Sequence, residues 1–200
     1  MTVLAADTLN EDPFVLFKQW FEEAREAEIN DPDAMALACV DSDGMPSVRM
    51  VLLKEILPEG FVFYTNYTSR KSGELLATGK AAFVLHWKSL RRQIRVTGQV
   101  EQVPAEQSDA YFRTRSRGSR IGAWASDQSQ PLHSRADLAE AVRRVEARYP
   151  DDVPRPPHWG GFLIRPSEIE FWADGEFRLH DRFRFTPDAD GVWTAQRLCP

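Results

Sequence analysis

The sequence predicts a mainly β fold with flanking helices, in the α+β class. Turn-forming residues such as the DSDG of 41–44 separate a series of short apolar runs, which indicates antiparallel strands joined by hairpins. Residues 91–103 alternate apolar and polar side chains, as a long strand with one polar face does. Apolar residues recur at helical spacing over 13–28. Together these patterns favour a barrel or a meander of strands.

The N-terminal part is predicted to contain a helix and three strands. Residues 1–11 are small or polar and predict a flexible N-terminus, and residues 12–200 are predicted to form a single domain. Phe17, Trp20 and Phe21 belong to the apolar face that packs the first helix on a sheet. The strands that follow it are predicted at 34–40, 46–54 and 61–64.

Helices and strands share the middle of the chain. Two strands are predicted, and in the second of them Ile94 and Val96 face the same way. These strands cover 81–87 and 91–103. Ser134 is a helix-capping residue type. The helical segments are predicted at about 70–78, 104–114 and 135–148, and a short helical or turn segment is predicted at 121–124.

The C-terminal part is predicted to return to strands after a proline-rich stretch at 149–157. Asp174-Gly175 is a tight hairpin signal. The strands of this part are predicted at 161–165, 168–173, 176–185 and 192–198.

Composition excludes several classes of protein. The net charge of −5 argues against nucleic acid as the main partner. No apolar run has the length of a membrane span and no signal peptide is visible, so the expected compartment is the cytoplasm. Cys39 lies in an apolar run, far from Cys199, and is expected to be buried. The four histidines are scattered, so no metal site is predicted.

A polar segment at 65–71 has the composition of a phosphate site. Arg70 and Lys71 fall at the start of a predicted helix, whereas cations normally favour the C-terminal end of a helix. Free backbone N–H groups, a hydroxyl cap and two cations together suit a phosphate. The alternative is a solvent-exposed helix start whose charges have no ligand.

A second basic cluster lies on the predicted strand at 177–183. Strand alternation places Arg178, His180 and Arg182 on one face. The other face is predicted to carry Phe177, Leu179 and Phe183, with Asp181 among them. An exposed edge strand explains this pattern, because charges there prevent aggregation. An anion or an electron-rich ring lying across the face explains it as well, with Trp172 as a flat neighbour across the hairpin.

A third cluster, at 111–120, carries four arginines together with hydroxyl side chains. One phosphate needs about two cations and a few donors, so three clusters on an acidic protein suit two phosphorylated ligands, a cofactor and a substrate. No Walker or Rossmann glycine pattern is present to hold the cofactor. The residues alone therefore indicate bound phosphates without naming a reaction.

Several motifs resemble one family over about residues 12–200. They include RMVLLK at 49–54, FYTNYTSRK at 63–71, YFRTRSRGSRIGAW at 111–124 and RLHDRF at 178–183. These motifs resemble the pyridoxine/pyridoxamine 5′-phosphate oxidase family. The resemblance implies a split β-barrel with flanking helices, which works as a homodimer with FMN held between the subunits.

The resemblance also implies roles for individual residues. The implied FMN-binding residues are Arg49, Met50, Val51, Leu52, Leu53, Lys54, Tyr64, Thr65, Arg70, Lys71, Gln93, Gln128, Ser129, Trp172 and Arg182. The implied substrate-binding residues are Lys54, Tyr111, Arg115, Ser119, Arg178, Leu179 and His180. Arg178 and His180 are the implied catalytic pair, above the pyridine ring. Because Arg49 and Lys54 have opposite parity, both serve one ligand only if their strand twists or bulges, or if a contact is through the backbone.

The implied reaction oxidises pyridoxamine or pyridoxine 5′-phosphate to pyridoxal 5′-phosphate, with FMN as hydride acceptor and oxygen as the final oxidant. Many family members carry a longer basic N-terminal segment, whereas none of the residues before the predicted first helix is Arg or Lys, so a lid of that kind is expected to be absent or reduced. Three alternatives stay open. They are a phenazine-pathway flavin oxidase, an FMN-binding carrier or sensor without turnover, and an RNA-binding barrel.

Overall fold

The structure, a computed structural model, describes residues 11–200, so the expected flexible N-terminus lies outside the described residues apart from Glu11. The first helix, α1, spans Pro13–Ala27. The Asp12 carboxylate caps it by accepting the backbone N–H groups of Phe14 and Val15. Its apolar face is buried as predicted, with Phe17 packed 4.5 Å from the ring of Phe61.

Antiparallel strands form the body of the protein. They are β1 Ala34–Val40, β2 Pro46–Leu57, β3 Gly60–Asn66, β4 Lys80–Trp87, β5 Arg92–Gln102, β6 Trp159–Ala173, β7 Asp181–Pro187 and β8 Trp193–Arg197. Their order is β3-β2-β1-β4-β5-β6-β7-β8, and an additional β3–β6 pairing closes the first six into a barrel. The predicted barrel is confirmed, and β7 and β8 extend the sheet beyond it. Closure removes the exposed edges that β3 and β6 otherwise present.

Four further helices connect and cover the strands. They are α2 Arg70–Thr78, α3 Ala105–Thr114, α4 Arg117–Ala125 and α5 Arg135–Arg148. The helix predicted at 121–124 is longer and begins at Arg117, because Ser116 caps it through the N–H of Ser119. Helix α5 lies against α4 and has a half-buried apolar face formed by Leu138, Ala141, Val142 and Val145.

The prediction of separate strands at 161–165 and 168–173 is wrong, because β6 is continuous. Its pairing with β5 shifts where Pro166 lies opposite Gly98. Proline lacks the N–H that a regular ladder uses, so the shift accommodates it. A Cβ at Gly98 would lie 2.1 Å from the carbonyl oxygen of Arg165, so this close approach requires glycine. One half of β6 therefore pairs with β3 and the other half with β7.

The strand predicted at 176–185 is present only from residue 181, and the tight hairpin predicted at Asp174-Gly175 is wrong. A single 3₁₀ turn occupies Glu176–Arg178, and β7 begins only at Asp181. Phe177 and Arg178 have positive φ angles of 56° and 65°, which break the strand alternation. Phe177 and Leu179 are exposed rather than packed on an inner face. Residues 174–180 therefore form a loop between β6 and β7.

Candidate functional site

The main cavity has a volume of about 680 Å³ and lies where β2 and β3 meet the starts of α2 and α4. This volume suits a small-molecule ligand. Eleven of the residues predicted to bind ligands line it, and we call them the pocket group: Met50, Val51, Leu52, Lys54, Tyr64, Thr65, Lys71, Tyr111, Arg115, Ser119 and Gln128. The structure thus assembles residues from three distant parts of the sequence at one cavity.

The strand that carries Arg49 and Lys54 is irregular. The register of β2 against β3 shifts between Leu53 and Glu55, so the bulge, one of the possibilities that their opposite parity left open, is present. Lys54 lines the cavity and pairs with Asp33 at 2.7 Å. Arg49 does not line it.

The Arg49 guanidinium is occupied by protein atoms. It donates to the Leu37 carbonyl, the Cys39 sulfur and the Glu74 carboxylate, among other acceptors. Leu53 is buried in the core and does not line the cavity either. For Arg49, a cofactor contact is therefore limited to its backbone.

Lys71 is the buried cation at the start of α2. Its ammonium donates to Thr65 Oγ1 at 2.7 Å, to Ser69 Oγ at 3.0 Å and to Gln128 Oε1 at 2.8 Å. All three acceptors are neutral, and no carboxylate within residues 11–200 lies at ion-pair distance from it. Burial, together with the charge of Arg49, lowers the pKa of Lys71 to about 8.

Glu74 explains how α2 tolerates cations at its start. This buried carboxylate accepts hydrogen bonds from Ser47 Oγ at 2.5 Å and from Arg49 and Arg70 at 2.9 Å each. Burial favours its neutral form, but these hydrogen bonds outweigh that effect and lower the pKa of Glu74. Arg70 is thereby held beside Glu74 and does not line the cavity.

Three aromatic rings form one wall of the cavity. Tyr64 and Tyr111 stack with centroids 4.0 Å apart and planes within 6°, and Trp159 lies nearly parallel to both. The Tyr64 hydroxyl donates a short hydrogen bond to Glu55. Burial and this bond raise the pKa of Tyr64, so its phenol stays neutral.

Arg115 is the one arginine of the 111–120 cluster that lines the cavity. Its guanidinium lies 4.6 Å from the Trp159 ring centroid, and its buried Nη1 has no hydrogen-bond partner among the described residues. By contrast, Arg117 donates to the carbonyls of Tyr149 and Asp151, and Arg120 pairs with Asp152. Those two arginines therefore anchor the proline-rich stretch.

Six further predicted site residues lie apart from this cavity. We call them the hairpin group: Gln93, Trp172, Arg178, Leu179, His180 and Arg182. The rings of Trp172 and His180 have centroids 4.6 Å apart. Arg182 donates to Glu170 at 2.8 Å, and this hydrogen bond raises the pKa of Arg182. Nδ1 of His180 lies 3.2 Å from the backbone nitrogen of Gly175 and 3.2 Å from Asp174 Oδ1.

The two groups sit at opposite ends of β6. Tyr64 pairs with Gly161 on this strand, and Gln93 pairs with Trp172. At about 3.3 Å per residue, these positions lie roughly 35 Å apart along the strand. One protomer therefore does not bring the pocket group and the hairpin group onto the same small ligand.

Some lining residues are absent from the sequence prediction. They are Asn66, Ser116, Gly122, Ala123, Ser126 and Trp159. Trp159 belongs to the HWGGF run at 158–162 and Asn66 to FYTNYTSRK, so both lie within recognisable motifs. Ser129 was predicted but lies beside Gln128 without lining the cavity, and its φ is 73°.

The fold and the polar pocket together define a protein of the split-barrel class. PhzG from Burkholderia lata 383, solved with tetrahydrophenazine-1-carboxylic acid, superposes with a TM-score of 0.92 at 33% identity, covering 100% of this chain and 99% of PhzG. A pyridoxamine 5′-phosphate oxidase-related, FMN-binding protein from Nostoc punctiforme shares the fold, with a TM-score of 0.77 at 16% identity, covering 95% of this chain and 99% of that one.

Sequence comparison narrows this class to one family. The family model "Pyridoxamine 5′-phosphate oxidase" matches residues 21–149, and "Pyridoxine 5′-phosphate oxidase C-terminal dimerisation region" matches 159–200. The pyridoxine/pyridoxamine 5′-phosphate oxidase of Cereibacter sphaeroides is 60% identical over 95% of this chain and 96% of its own. That of Bartonella henselae is 58% identical over 94% of this chain and 92% of its own. The chain belongs to the pyridoxine/pyridoxamine 5′-phosphate oxidase family and is an oxidoreductase, which confirms the resemblance. Within residues 11–200, no helix is both long enough and apolar enough to cross a bilayer.

Proposed function

We propose that this protein oxidises pyridoxamine 5′-phosphate and pyridoxine 5′-phosphate to pyridoxal 5′-phosphate, using FMN. Oxygen is the acceptor and hydrogen peroxide the reduced product. The amine substrate also consumes water and releases ammonia. The relatives that are 57–60% identical over nearly their whole length bear the name of this activity. Such a reaction serves the synthesis and salvage of pyridoxal phosphate.

One observation in the structure carries the proposal: two of the cations that line the cavity have no carboxylate partner among the described residues. Lys54 is paired with Asp33, and the arginines near Glu74 are paired with it. Lys71 and Arg115 have no such partner among the described residues. An uncompensated, partly buried charge is unfavourable unless an anion binds it. Two separate cations of this kind suit two phosphates, one from a cofactor and one from a substrate.

The residues around Lys71 fit the phosphate of FMN. The ammonium, Thr65 Oγ1 and the start of α2 supply a charge, a hydroxyl and a helix N-terminus. Gln128 is close enough to orient the ammonium. Residues 50–52 of β2 line the same cavity and offer backbone groups to the flavin ring. When bound, FMN supplies the hydride acceptor that no side chain can provide.

The residues around Arg115 fit the phosphate of the substrate. Tyr111 and Ser119 line the cavity beside Arg115. Ser119 is in the first turn of α4, whose capped N-terminus attracts an anion. Lys54 lines the same cavity. A phosphate held at this end leaves the pyridine ring to extend toward the flavin.

A homodimer completes the site, with the hairpin group of one protomer joining the pocket group of the other. The separation along β6 supports this arrangement, because one protomer leaves the two groups far apart. The match of 159–200 to a dimerisation region supports it as well. Val48 and Met50 are 68% and 61% exposed on β2, so the barrel carries an apolar strip suited to a partner. Gln93, Trp172 and Arg182 then contact the flavin from the partner's side.

Arg178 and His180 have positioning roles in this proposal. Arg178 is exposed in the loop at 174–180, so its charge is available to a ring bound against that loop. It holds the pyridine ring and stabilises the electron-rich transition state. His180 is oriented by Trp172 and Asp174, and it assists proton movement near the reacting carbon.

The test is anaerobic reduction of the flavin. The purified protein is loaded with FMN, pyridoxamine 5′-phosphate is added, and the flavin absorbance is followed. Bleaching, then recovery with formation of pyridoxal 5′-phosphate on admitting air, is the expected result. If FMN binds but neither phosphorylated vitamer bleaches it, the substrate assignment is wrong. A tetrahydrophenazine carboxylic acid, the class of compound bound in the PhzG structure, is then the next compound to test by the same absorbance measurement.

A further inference from the structure

We propose that Trp159 is a positioning residue that makes the site specific for phosphorylated substrates, because its ring holds the Arg115 guanidinium without neutralising it. This inference rests on the proposed function and deepens it. Trp159 was not among the site residues predicted from the sequence, although Arg115 and Tyr111, which it contacts, were. The key feature is how the Arg115 guanidinium is held in the absence of a carboxylate partner among the described residues.

The contacts of Arg115 are unusual among the cations of the cavity. Its guanidinium carbon lies 4.6 Å from the Trp159 ring centroid and 5.5 Å from that of Phe112. The described residues provide no ion pair to it, and its buried Nη1 donates to no acceptor. Aromatic faces are therefore what holds this side chain in the cavity wall.

The choice of a ring rather than a carboxylate has a consequence for ligand binding. A carboxylate partner, such as Asp33 beside Lys54, must be displaced or shared when a phosphate arrives. A ring attracts the cation through its quadrupole but leaves the N–H donors free. Arg115 is thus oriented in advance while its Nη1 stays available, so little of the binding free energy is spent on rearrangement.

The Trp159 ring is itself held firmly. Arg155 donates to the Trp159 carbonyl oxygen at 2.6 Å and is fixed by Asp109 at 2.6 Å. The backbone N–H of Trp159 donates to the Pro156 carbonyl at 3.1 Å, and Trp159 pairs with Asn66 at the end of β3. These bonds anchor the backbone at the first residue of β6, so the ring is positioned by a rigid element.

The same ring also aligns a second phosphate-binding candidate. Trp159 lies within 4° of parallel to Tyr111, with centroids 6.2 Å apart, and within 9° of Tyr64 at 5.5 Å. Loss of the indole therefore removes a support from both Arg115 and Tyr111. We expect the effect to fall on the phosphate of the substrate rather than on the phosphate of FMN, whose cation, Lys71, is held by hydrogen bonds to Thr65, Ser69 and Gln128.

The experiment compares Trp159→Leu with Trp159→Phe in the FMN-loaded protein. Trp124→Phe is the matched control. The guanidinium carbon of Arg148 lies 5.3 Å from the Trp124 ring centroid, so this ring also contacts an arginine, but Trp124 does not line the cavity. Binding of pyridoxal 5′-phosphate and of unphosphorylated pyridoxal is measured by calorimetry. The affinity for FMN and the kcat and KM for pyridoxine 5′-phosphate are measured separately. Binding of inorganic phosphate is followed by broadening of its ³¹P resonance.

We expect Trp159→Leu to weaken pyridoxal 5′-phosphate binding roughly 10-fold, as loss of a desolvated cation–π contact predicts. KM should rise by a similar factor, whereas kcat, FMN affinity and pyridoxal binding should each change less than about 2-fold. Trp159→Phe should restore most of the affinity, since a flat ring remains. Trp124→Phe should behave as the wild type.

Two outcomes overturn the inference. Equal weakening of pyridoxal and pyridoxal 5′-phosphate shows that Trp159 only packs the pocket. A parallel loss of FMN affinity shows a general structural role. Failure of the proposed function is distinguishable from both, because inorganic phosphate still reports on Arg115. If the wild type broadens the phosphate resonance and Trp159→Leu does not, the inference stands even when no vitamer is oxidised.

Discussion

The ammonium of Lys71 lies 2.8 Å from Oε1 of Gln128, a residue 57 positions later in the chain. This hydrogen bond joins the start of α2 to the loop that follows α4, and both residues line the cavity. Because the partner is a neutral amide, the charge of Lys71 is not cancelled. A dianionic phosphate is then the natural counter-ion.

Replacing Lys71 with Met should remove the main attraction for the FMN phosphate. A hydrogen bond to a charged group contributes about 1.5–3 kcal/mol, so FMN affinity should fall roughly 10- to 150-fold. Riboflavin, which lacks the phosphate, should bind almost unchanged. Fluorescence titration of both flavins measures the difference. Lys80→Met, at an exposed position of β4, is the control. An equal loss for both flavins would place Lys71 at the ring rather than at the phosphate.

FMN affinity should depend on pH through the same lysine. The pKa of Lys71 is lowered to about 8, so the ammonium loses its proton as the pH rises through that value. The second pKa of a phosphate ester is about 6, so the ligand stays dianionic. Affinity should be constant near pH 7 and fall approximately 10-fold per unit above pH 8.

The control for this pH dependence is Lys71→Arg, which keeps its charge across the range. Its FMN affinity should stay nearly flat between about pH 7 and pH 10, as should riboflavin binding to the wild type. If Lys71→Arg shows the same decline as the wild type, another group controls the titration.

Glu74→Gln should destabilise the protein at neutral pH. The carboxylate accepts hydrogen bonds from Arg49 and Arg70, and losing its charge should reduce the free energy of unfolding by about 2 kcal/mol. The pKa of Glu74 is lowered in the folded protein, so this stabilisation is present above pH 4.5 and is lost as the pH falls below that value.

The difference between the wild type and Glu74→Gln should therefore shrink in acid. Urea unfolding at neutral pH and at about pH 4 measures it. Glu146→Gln, on the exposed side of α5, is the control and should change little at either pH. A difference that is independent of pH would show that the shape of the side chain matters, not its charge.

Mixing two defective variants should restore activity if the site is shared between protomers. Arg115→Ala damages the pocket group and Arg178→Ala damages the hairpin group. A mixed dimer contains one Arg115→Ala protomer and one Arg178→Ala protomer. One of its two shared sites then carries both substitutions, and the other carries neither. Random assortment leaves about one quarter of all sites intact.

This complementation is measured as kcat/KM after the two variants are unfolded together and refolded. Each variant refolded alone is the control. A mixture that shows only the mean activity of its two parents would place both groups of a working site within one protomer.

Arg178→Ala alone should lower kcat more than it changes FMN affinity. The side chain is exposed in the loop at 174–180, so its loss costs little stability and its effect is on the reacting ring. We expect a fall of roughly 100-fold, typical of a lost electrostatic contact in the transition state. Single-turnover reduction of the flavin measures the step. Unchanged turnover would show that Arg178 does not position the pyridine ring.

Local patterns in the sequence were sufficient for much of the fold. Helical spacing placed α1, and the alternation along β5 placed its buried and polar faces, because both periodicities arise from the backbone itself. Motif resemblance identified the family and proposed most of the residues that line the cavity. It could do so because those residues lie in contiguous runs.

Tertiary contacts decided the rest. The loop at 174–180 broke the alternation predicted there, and the role of Glu74 between two arginines depends on β2 and α2 meeting. Trp159 belongs to the site because the pairing of β6 with β3 places the indole ring beside Arg115. Such contacts join residues that are distant along the chain, so the sequence alone determined which groups are present and the fold determined which of them remain uncompensated.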